Sequence, residues 1–296
     1  MRKILALDVG GTAIKSGLFA ADARILDERE VPSEAWKGGA ALVERICGLI
    51  GEYRDYDAIG LSVTGQINAD TGEVVYATDS IPGFTGTPLR RIVESRFGVP
   101  VSVDNDVNCA AIGEGHYGAA RGYDDFLCLT YGTGIGGAVV RDRRVYRGAA
   151  HSAGEFGHML THAGGRPCAC GNRGCYEAYA SARALALRVR EATGLEMDGR
   201  EIFRAFRMND GRIVPIVAEW MDEIVYGLVN LVHIFNPSCV IIGGGVMSQT
   251  FIVDQIGAKL DEMIMPNYRC VRVQAAELGN RAGMFGAYVN ALQFVD

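Results

Sequence analysis

Apolar residues along the chain fall into short runs that are interrupted by glycine-rich turns. One run begins at Ile4, passes through a glycine turn and resumes up to Phe19, and the segment from Phe126 to Val140 repeats this arrangement. Each pattern predicts a strand, a tight turn and a second strand. Two such hairpins indicate two lobes related by an internal duplication, with the boundary near residues 119–125.

Helical and strand patterns alternate through the rest of the chain. Apolar periodicity predicts helices at Ala40–Tyr53, Pro88–Phe97, Ala178–Thr193, Pro215–Phe235, Phe251–Met263 and Ala282–Phe294. Continuous apolar runs predict buried strands at Ala58–Val63, Val101–Val103 and Cys239–Ile242. This alternation is typical of a layered α/β fold, and the second lobe is richer in helix.

Composition and charge narrow the class of protein. The 296 residues are 49% hydrophobic and 22% charged, which is typical of a globular protein. The net charge is −6 and no long lysine or arginine run occurs, so no nucleic-acid partner is expected. The apolar stretch Pro215–Phe235 carries Glu219, Asp222 and Glu223. Burying three carboxylates in a bilayer costs much free energy, so this stretch is not expected to span a membrane. Without a signal-peptide pattern at the N-terminus, we expect a cytoplasmic protein with no membrane partner.

Three of the eight cysteines are crowded into one short segment. Cys168, Cys170 and Cys175, with His158 upstream, provide three thiolates and an imidazole, which form a complete tetrahedral ligand set for zinc. Because no ligand position stays open, the metal is expected to organise structure instead of activating water. The sequence therefore predicts a structural zinc site.

Alternatives to this zinc site stay open. A reactive redox pair is one, although a third cysteine and an upstream histidine fit it poorly. His151 and His162 are nearby substitutes for the histidine ligand. The remaining cysteines are scattered among apolar residues and are expected to be small buried hydrophobes, because the cytosol keeps thiols reduced: Cys47, Cys109, Cys128, Cys239 and Cys270.

The turn of the first hairpin carries the features of a phosphate-binding loop. Gly10 and Gly11 lack a Cβ, so backbone amides there can approach an anion, and the Thr12 hydroxyl is a further donor. Lys15 adds positive charge, and Asp8 is suitably placed to hold magnesium through water. A plain glycine hairpin with a surface aspartate is the alternative.

A second glycine segment has the form G-x-G-x-x-G. A dinucleotide fingerprint would have to open a helix, whereas these glycines lead into Ala138–Val140, which favours a strand. A second phosphate-binding hairpin is therefore predicted, with the residues Gly132, Thr133, Gly134, Gly136 and Gly137. Gly243 and Gly244 are expected to form another close-approach turn, which could lie beneath the adenosine of a nucleotide. The alternative is a strand-to-helix turn that binds no ligand.

Polar side chains follow the strand at Val101–Val103, where ligands usually bind in α/β sheets. A carboxylate at Asp106 could accept the proton of an attacking hydroxyl, and Asn105 could hold a sugar by hydrogen bonds. The alternative is that Asp104 and Asp106 cap the helix that begins near Val107, and it is more serious for Asp104.

Two carboxylates flank the predicted zinc segment. Glu155 lies three residues before His158, and Glu177 lies two residues after Cys175, so a folded zinc loop would carry both into one region. Paired acceptors of this kind suit sugar hydroxyls. The alternative is that both are solvated surface charges, or that Glu177 is an acidic residue in the first turn of a helix, where it interacts favourably with the helix dipole.

The ordered combination of these motifs resembles the ROK family of sugar kinases and related repressors, within the actin-like ATPase superfamily. The resemblance covers nearly the whole chain and rests on Leu7–Thr12, Asp104–Asn108, Gly132–Gly137, Gly154–Met159, the cysteine cluster up to Glu177, and Asn236–Pro237 before Gly243–Gly245. It implies an α/β, two-lobed actin-like ATPase (ribonuclease H-like) fold with a nucleotide and sugar cleft between the lobes. It also implies that the C-terminal helix returns to the first lobe, so the lobes would comprise residues 1–118 with 282–296, and residues 119–281.

For function, the resemblance implies a kinase that uses ATP and magnesium, with Asp106 as general base and a second copy of the chain as its partner in a homodimer. The sugar would contact Gly65, Asn105, Asp106, Glu155, His158 and Glu177. His158 would ligate zinc through one ring nitrogen and meet the sugar with the other. The segment Gln66–Asn68 departs from the Val-Asp pair of many members, which affects the rim of the pocket.

We therefore predict phosphorylation of a hexose or hexose derivative at the 6-hydroxyl, as in a glucokinase, β-glucoside kinase or N-acetylmannosamine kinase, with fructose and allose as further candidates. A ROK-type sugar-responsive regulator without its DNA-binding domain is the alternative. Because the first strand is predicted to begin at Ile4 and no basic patch occurs, we expect no N-terminal helix-turn-helix. A nicotinamide-dependent dehydrogenase is disfavoured by the strand after Gly137.

Overall fold

The computed structural model describes residues 2–295, and for Ser248 it describes the backbone alone. Met1 and Asp296, the outer limits of the predicted first lobe, lie outside the described residues. The chain forms two compact units. The first comprises the residues up to Arg121, Arg144–Ala153 and the residues from Asn280 onward, and the second comprises Gly122–Arg143 and Gly154–Gly279.

Strands and helices alternate along most of the chain, as the sequence predicts. The strands are β1 (Lys3–Val9), β2 (Ala13–Ala20), β3 (Ile25–Pro32), β4 (Ala58–Val63), β5 (Gln66–Asn68), β6 (Glu73–Tyr76), β7 (Val101–Asn105), β8 (Phe126–Tyr131), β9 (Ile135–Arg141), β10 (Arg144–Tyr146), β11 (Cys239–Gly243) and β12 (Arg272–Ala275). The α-helices are α1 (Gly39–Gly51), α2 (Leu89–Phe97), α3 (Asp106–Tyr117), α4 (Glu177–Ala180), α5 (Ala182–Thr193), α6 (Gly199–Arg207), α7 (Val214–Phe235), α8 (Thr250–Met263) and α9 (Ala282–Leu292).

The predicted elements are present to within two residues at each end, with two corrections. The strand predicted at Ala138–Val140 begins three residues earlier, at Ile135, so Gly136 and Gly137 lie in β9 and not in the turn. The helix predicted at Ala178–Thr193 is divided at Ser181 into α4 and α5. The Ser181 hydroxyl accepts a hydrogen bond from the Ala184 amide (3.1 Å) and so caps a new helix. Apolar periodicity continues across this break, which is why the pattern alone predicts one helix.

A five-stranded sheet forms the centre of the first unit, in the order β3-β2-β1-β4-β7. β2 runs antiparallel to β1 and β3, whereas β4 runs parallel to β1 and β7. All six residues of β4 are buried, as expected for a central parallel strand that is covered on both faces. The register places Asp8 opposite Ser62, and Ser62 opposite Asp104. Polar side chains from three neighbouring strands therefore lie side by side near the carboxyl ends, where ligands bind in such sheets.

Helices α3 and α9 of the first unit approach each other closely at two glycines. A Cβ added to Gly286 of α9 would lie 1.8 Å from the carbonyl oxygen of Cys109 in α3. A Cβ added to Gly113 of α3 would lie 2.4 Å from the carbonyl oxygen of Ala282. The C-terminal helix thus packs backbone against backbone on the helix that begins at Asp106.

Replacing Gly286 by alanine is expected to lower the free energy of unfolding by about 3 kcal/mol, because the methyl group overpacks this contact. Gly48 of α1 is a matched control, since it is exposed and an added Cβ there meets open space. Gly48→Ala should raise the free energy of unfolding by about 0.5–1 kcal/mol, because alanine restricts the unfolded chain. Guanidinium unfolding curves measure both, and equal midpoints for the two variants would contradict the close packing.

The second unit contains the strands β9-β8-β11-β12 as neighbours in that order. β9 is antiparallel to β8, whereas β11 is parallel to both β8 and β12. The long helix α7 packs in the core, where the Trp220 indole is fully buried and donates a hydrogen bond to the carbonyl oxygen of Ala180 (3.0 Å). Within residues 2–295, no helix is long and apolar enough to cross a membrane.

Candidate active site

Asp106 lies at the junction of β7 and α3 in the first unit. Asn105 is the residue that caps α3, because its Oδ1 accepts hydrogen bonds from the amides of Val107 (2.9 Å) and Asn108 (3.1 Å). Asn105 Nδ2 donates to Gly65 O (2.8 Å) and to Asp106 Oδ1 (2.9 Å). The Asn105 amide therefore uses all four of its hydrogen-bonding positions to order the loop that carries Asp106.

The Asp106 carboxylate is held in one orientation. Its Oδ1 accepts both the Asn105 amide and the Val107 N–H (2.9 Å). Burial and the neighbouring Asp8 carboxylate raise the pKa of Asp106 from 3.8 to about 7, although these hydrogen bonds oppose the shift. A carboxylate with a pKa near neutrality can take up a proton during a reaction, which an ordinary aspartate does poorly.

Asp8 ends β1 next to this site. Its Oδ1 accepts a hydrogen bond from the Ser62 hydroxyl (2.6 Å), and it is paired across the strands with Lys15. Burial raises the pKa of Asp8, while Ser62 and the Lys15 charge lower it. A Cβ on Gly283 of α9 would lie 2.5 Å from the Asp8 carboxylate. A glycine at position 283 therefore provides the space that the Asp8 side chain occupies.

The turn after Asp8 has glycines that the fold itself does not require. Gly10 and Gly11 both lack positive φ angles, and an added Cβ at Gly11 would meet nothing within 4 Å. Gly11 and Thr12 are exposed, and the Gly10 amide bonds to Ala13 O (3.0 Å). Since neither backbone angle nor packing accounts for Gly11, this turn fits the close approach of a ligand.

Gly65 is required by the backbone. It has a φ of +107°, and an added Cβ would lie 2.8 Å from Tyr76 O. Its carbonyl oxygen receives the Asn105 amide, so the sequence-predicted residues Gly65, Asn105 and Asp106 form one hydrogen-bonded group.

Asp104 has a role that sequence reasoning missed. It is fully buried, and its two oxygens accept the Asn105 N–H (2.8 Å), the Asn108 side chain (3.2 Å), the Asn290 side chain (3.4 Å) and the Arg147 guanidinium. It does not cap α3 and instead fixes the backbone just before Asp106. Its partners Arg147 and Asn290 are distant in sequence, so no local spacing could have indicated them.

The glycine hairpin of the second unit joins β8 to β9. Gly132 resembles Gly11, because an added Cβ would meet nothing within 4 Å, and Thr133 beside it is exposed. Packing accounts for Gly134 and Gly137, where an added Cβ would lie 2.5 Å from Glu177 Oε2 and 2.2 Å from the Phe156 ring. Gly136 lies opposite Thr130 in the ladder of β8 and β9.

The turn after β11 is also explained by packing. Gly244 has a φ of +104°, and an added Cβ would lie 2.2 Å from Tyr131 O. A Cβ on Gly243 would lie 3.2 Å from the Ala276 side chain. This turn therefore lies against the end of β8, directly before Gly132.

The predicted metal ligands are brought together in the second unit. One ligand atom from each of His158, Cys168, Cys170 and Cys175 lies within 4.8 Å of the others. Cys170 Sγ is 3.6 Å from Cys175 Sγ, and Cys168 Sγ is 3.7 Å from His158 Nδ1. Tetrahedral Zn–S bonds of about 2.3 Å place two sulfurs about 3.8 Å apart, whereas a disulfide needs about 2 Å. The distances fit zinc and exclude a bonded disulfide.

The segment around the cysteines folds by tight turns. Gly171 and Gly174 have φ angles of +90° and +87°, and a Cβ on Gly174 would lie 1.7 Å from His162 O. Burial raises the pKa values of the Cys168 and Cys175 thiols, whereas the Asn172 amide lowers the pKa of the Cys170 thiol. Three thiols at such short range are what a bound cation would convert to thiolates.

The alternative histidine ligands lie elsewhere. The His162 ring stacks on Tyr179 (3.9 Å between centroids), and its Nε2 is 3.5 Å from the buried Glu223. His151 belongs to the first unit and faces Asp70. The structure therefore groups His158 with the three cysteines.

Glu155 and Glu177 flank this cluster. Glu177 Oε1 accepts the Cys168 thiol (3.1 Å) and lies 3.8 Å from His158 Nδ1, while Glu177 Oε2 accepts the Ile135 amide (3.3 Å). The other nitrogen of His158, Nε2, lies 3.9 Å from Glu155 Oε2. His158 thus points Nδ1 at the cluster and Nε2 away from it.

Two sheets that each open with a strand, a glycine turn and an antiparallel strand define the class of this protein: an α/β protein of the actin-like ATPase fold. Within that class, the chain belongs to the ROK family, whose sequence model matches residues 4–293.

Named relatives cover almost the full chain. A glucokinase of Streptomyces coelicolor is 31% identical, over 96% of this chain and 95% of its own. A β-glucoside kinase of Listeria monocytogenes is 32% identical, over 98% of each chain. The crystal structure of a ROK family glucokinase from Streptomyces griseus, in complex with glucose and AMPPNP, is 33% identical with a TM-score of 0.85, over 98% of this chain and 99% of its own.

Proposed function

We propose that this chain is an ATP-dependent sugar kinase that phosphorylates a hexose or hexose derivative at its 6-hydroxyl. The observation that carries the proposal is the Asp106 carboxylate, fixed by Asn105 and Val107 and with its pKa raised to about 7. ROK relatives named glucokinase and β-glucoside kinase support the substrate class. Because these relatives are named for different sugars, the individual sugar is to be identified by experiment.

Asp106 takes up the proton of the sugar hydroxyl as that oxygen attacks the terminal phosphorus of ATP. The bond between this phosphorus and the bridging oxygen of ADP breaks, so the products are a sugar phosphate and ADP. The hydrogen bonds from Asn105 and Val107 both end on Oδ1, so we assign the proton to Oδ2. Asn105 acts first by positioning Asp106, and it must exchange one of its existing hydrogen bonds to reach a sugar.

Nucleotide binding is assigned to the glycine turns. In the first unit these residues are Gly10, Gly11 and Thr12, and Lys15 adds a positive charge. Asp8 is the residue that would hold magnesium, because magnesium prefers oxygen ligands. In the second unit they are Gly132, Thr133, Gly134, Gly136 and Gly137 with Gly243 and Gly244. Magnesium neutralises charge on the phosphates when it is bound.

The zinc cluster serves the sugar site as a scaffold. His158, Cys168, Cys170 and Cys175 would fill all four positions of a bound zinc ion, and this ion would order the residues around it. In the second unit, the residues assigned to the sugar are Glu155, His158 through Nε2, and Glu177. In the first unit, they are Gly65, Asn105 and Asp106. Zinc therefore contributes to specificity instead of to transfer.

The rate should follow the titration of Asp106. Because the base must be deprotonated, kcat/KM is expected to fall about tenfold per pH unit below about pH 7 and to level off above it. Initial rates at saturating MgATP and low sugar, between pH 5.5 and 8.5, measure this profile. A profile that stays flat down to about pH 5 would show that a group with an ordinary aspartate pKa limits the rate.

ADP release from the purified protein with MgATP tests the proposed activity. The panel is glucose, a β-glucoside, N-acetylmannosamine, fructose and allose. We expect one of these sugars to raise ADP release at least about tenfold above the rate without sugar. The absence of stimulation by any of them would reject the kinase proposal.

We also propose a cytoplasmic homodimer. None of the eight cysteines, all of which lie within the described residues, forms a disulfide, and this fits a reducing compartment. Tyr226 and Ile234 lie eight residues apart on α7, hence on one face, and are 43% and 68% exposed. Light scattering should give twice the chain mass for the unmodified protein.

A further inference from the structure

Two buried tyrosines join the cysteine cluster to the glycine hairpin within the second unit. Tyr131 is the last residue of β8 and directly precedes Gly132, and Tyr176 stands between Cys175 and Glu177. Neither side chain is exposed, and the two hydroxyl oxygens are 2.8 Å apart. A direct side-chain contact therefore links the residue beside a metal ligand to the residue beside the hairpin.

The direction of this hydrogen-bond chain is fixed. The Tyr176 hydroxyl donates its single proton to Ile224 O of α7 (2.8 Å), so the Tyr131 hydroxyl must be the donor to Tyr176. Burial raises the pKa values of both hydroxyls and keeps them protonated. Gly227 of α7 makes room for the ring, because a Cβ there would lie 2.3 Å from Tyr176 Cζ.

Other bonds join the same two segments. Gly132 O accepts the Ala182 amide (3.0 Å), and Glu177 Oε2 accepts the Ile135 amide (3.3 Å). The chain just after Cys175 is therefore bonded to both sides of the hairpin turn. The Tyr131 backbone also packs on Gly244. Tyr131 thus contacts both glycine turns that are assigned to the nucleotide in this unit.

We propose that Tyr131 and Tyr176 are positioning residues that couple the metal cluster to the nucleotide hairpin, so that zinc and nucleotide strengthen each other's binding. This inference rests on the proposed function, which assigns zinc and nucleotide to these two segments. A metal that fixes Cys175 also fixes Tyr176 and, through it, the residue before Gly132. A nucleotide then binds a hairpin that is already ordered and loses less conformational freedom.

Linkage makes the effect reciprocal, so it can be measured on the zinc-loaded protein without any sugar. Competition with a chromophoric chelator gives the zinc affinity with and without saturating MgADP. We expect MgADP to tighten zinc binding at least about fivefold in the unmodified protein. Tyr131→Phe keeps the ring and leaves Tyr176 bonded to Ile224. In this variant the ratio of the zinc affinities with and without MgADP should fall by at least half towards one, because the hydrogen bonds of Gly132 and Glu177 remain.

Tyr53→Phe is the matched control. Tyr53 is a buried tyrosine of the first unit whose hydroxyl is 2.8 Å from Ser16 Oγ, so this variant also loses one buried tyrosine hydrogen bond. Its ratio should equal that of the unmodified protein. A general loss of stability would lower the ratio in both variants, whereas coupling through Tyr131 lowers it in one.

The outcomes separate this inference from the proposed function. A calorimetric titration shows whether MgADP binds at all, and no binding would reject the nucleotide assignment and the coupling together. MgADP that binds without changing zinc affinity overturns the coupling alone. An unchanged ratio in Tyr131→Phe also overturns it. A ratio of about one in the unmodified protein overturns the coupling even where a variant does not fold.

Discussion

Asp106→Asn is expected to lower kcat by about 10²–10⁴-fold, which is the contribution of a positioned general base. Asparagine has nearly the same shape, and its amide oxygen can keep the hydrogen bonds from Asn105 and Val107. It cannot take up the proton of the sugar hydroxyl. Because the lost interaction develops only in the transition state, the sugar dissociation constant should change little.

Kinetics and calorimetry together measure this effect. ADP release gives kcat, and titration with sugar gives the dissociation constant. Asp22→Asn, an exposed aspartate of the same unit, should keep full turnover. If Asp106→Asn retained turnover within about tenfold of the unmodified protein while binding sugar, another group would be the base.

The same variant has an expected effect on stability. The folded-state pKa of Asp106, about 7, lies above its ordinary value of 3.8, so the folded protein must bind a proton that the unfolded chain gives up. The stability that Asp106 contributes is present below about pH 4 and is lost as the pH rises through about 7. The asparagine side chain stays neutral at every pH, so Asp106→Asn should melt at a higher temperature than the unmodified protein at pH 8, and the difference should shrink towards pH 5.

Cys170→Ser is expected to weaken zinc binding at least about 100-fold, because loss of a group that merely bonds to a ligand already costs about 10–100-fold. The unmodified protein should hold one zinc per chain after dialysis against a weak chelator, and the variant much less. The sugar KM should rise, because His158 and Glu177 lie at the same cluster. Elemental analysis and sugar kinetics measure the two effects.

Cys270→Ser is the matched control for this experiment. Cys170 and Cys270 are both exposed, so the expectation that Cys270 is buried is wrong. Cys270 contacts Asn267 O and is not in the cluster. Its zinc content and sugar KM should stay unchanged. Equal zinc retention by the two variants would contradict the assigned ligands.

Strong apolar patterns make most of the fold predictable. β4 is buried at every position and is predicted with its observed ends, because a continuous apolar run of six residues indicates a buried strand. No such signal marks β3, whose residues alternate between partly buried and exposed and include Asp27, Glu28 and Glu30. β12 has no fully buried residue and pairs with β11 along one edge. The edge strands depend on tertiary pairing, which local patterns do not carry.

The site is predictable where several metal-ligating side chains lie close together in the sequence. His158 and the three cysteines are identified from ligand type, and the structure groups them. For Asp104 the local sequence indicates only a possible helix cap, because its partner Arg147 is distant in sequence. Tyr131 and Tyr176 carry no sequence signal at all, since a buried aromatic residue looks the same whether or not its hydroxyl has a partner.

The most direct test of the central claim is the identity of the product. The sugar that stimulates ADP release is incubated with MgATP and examined by mass spectrometry and by phosphorus–proton correlation NMR. We predict a sugar that gains one phosphoryl group on its 6-oxygen, in equal amount to the ADP formed, and at least about 100-fold less of this product in the same time with Asp106→Asn. ADP formation without any phosphorylated sugar would contradict the account.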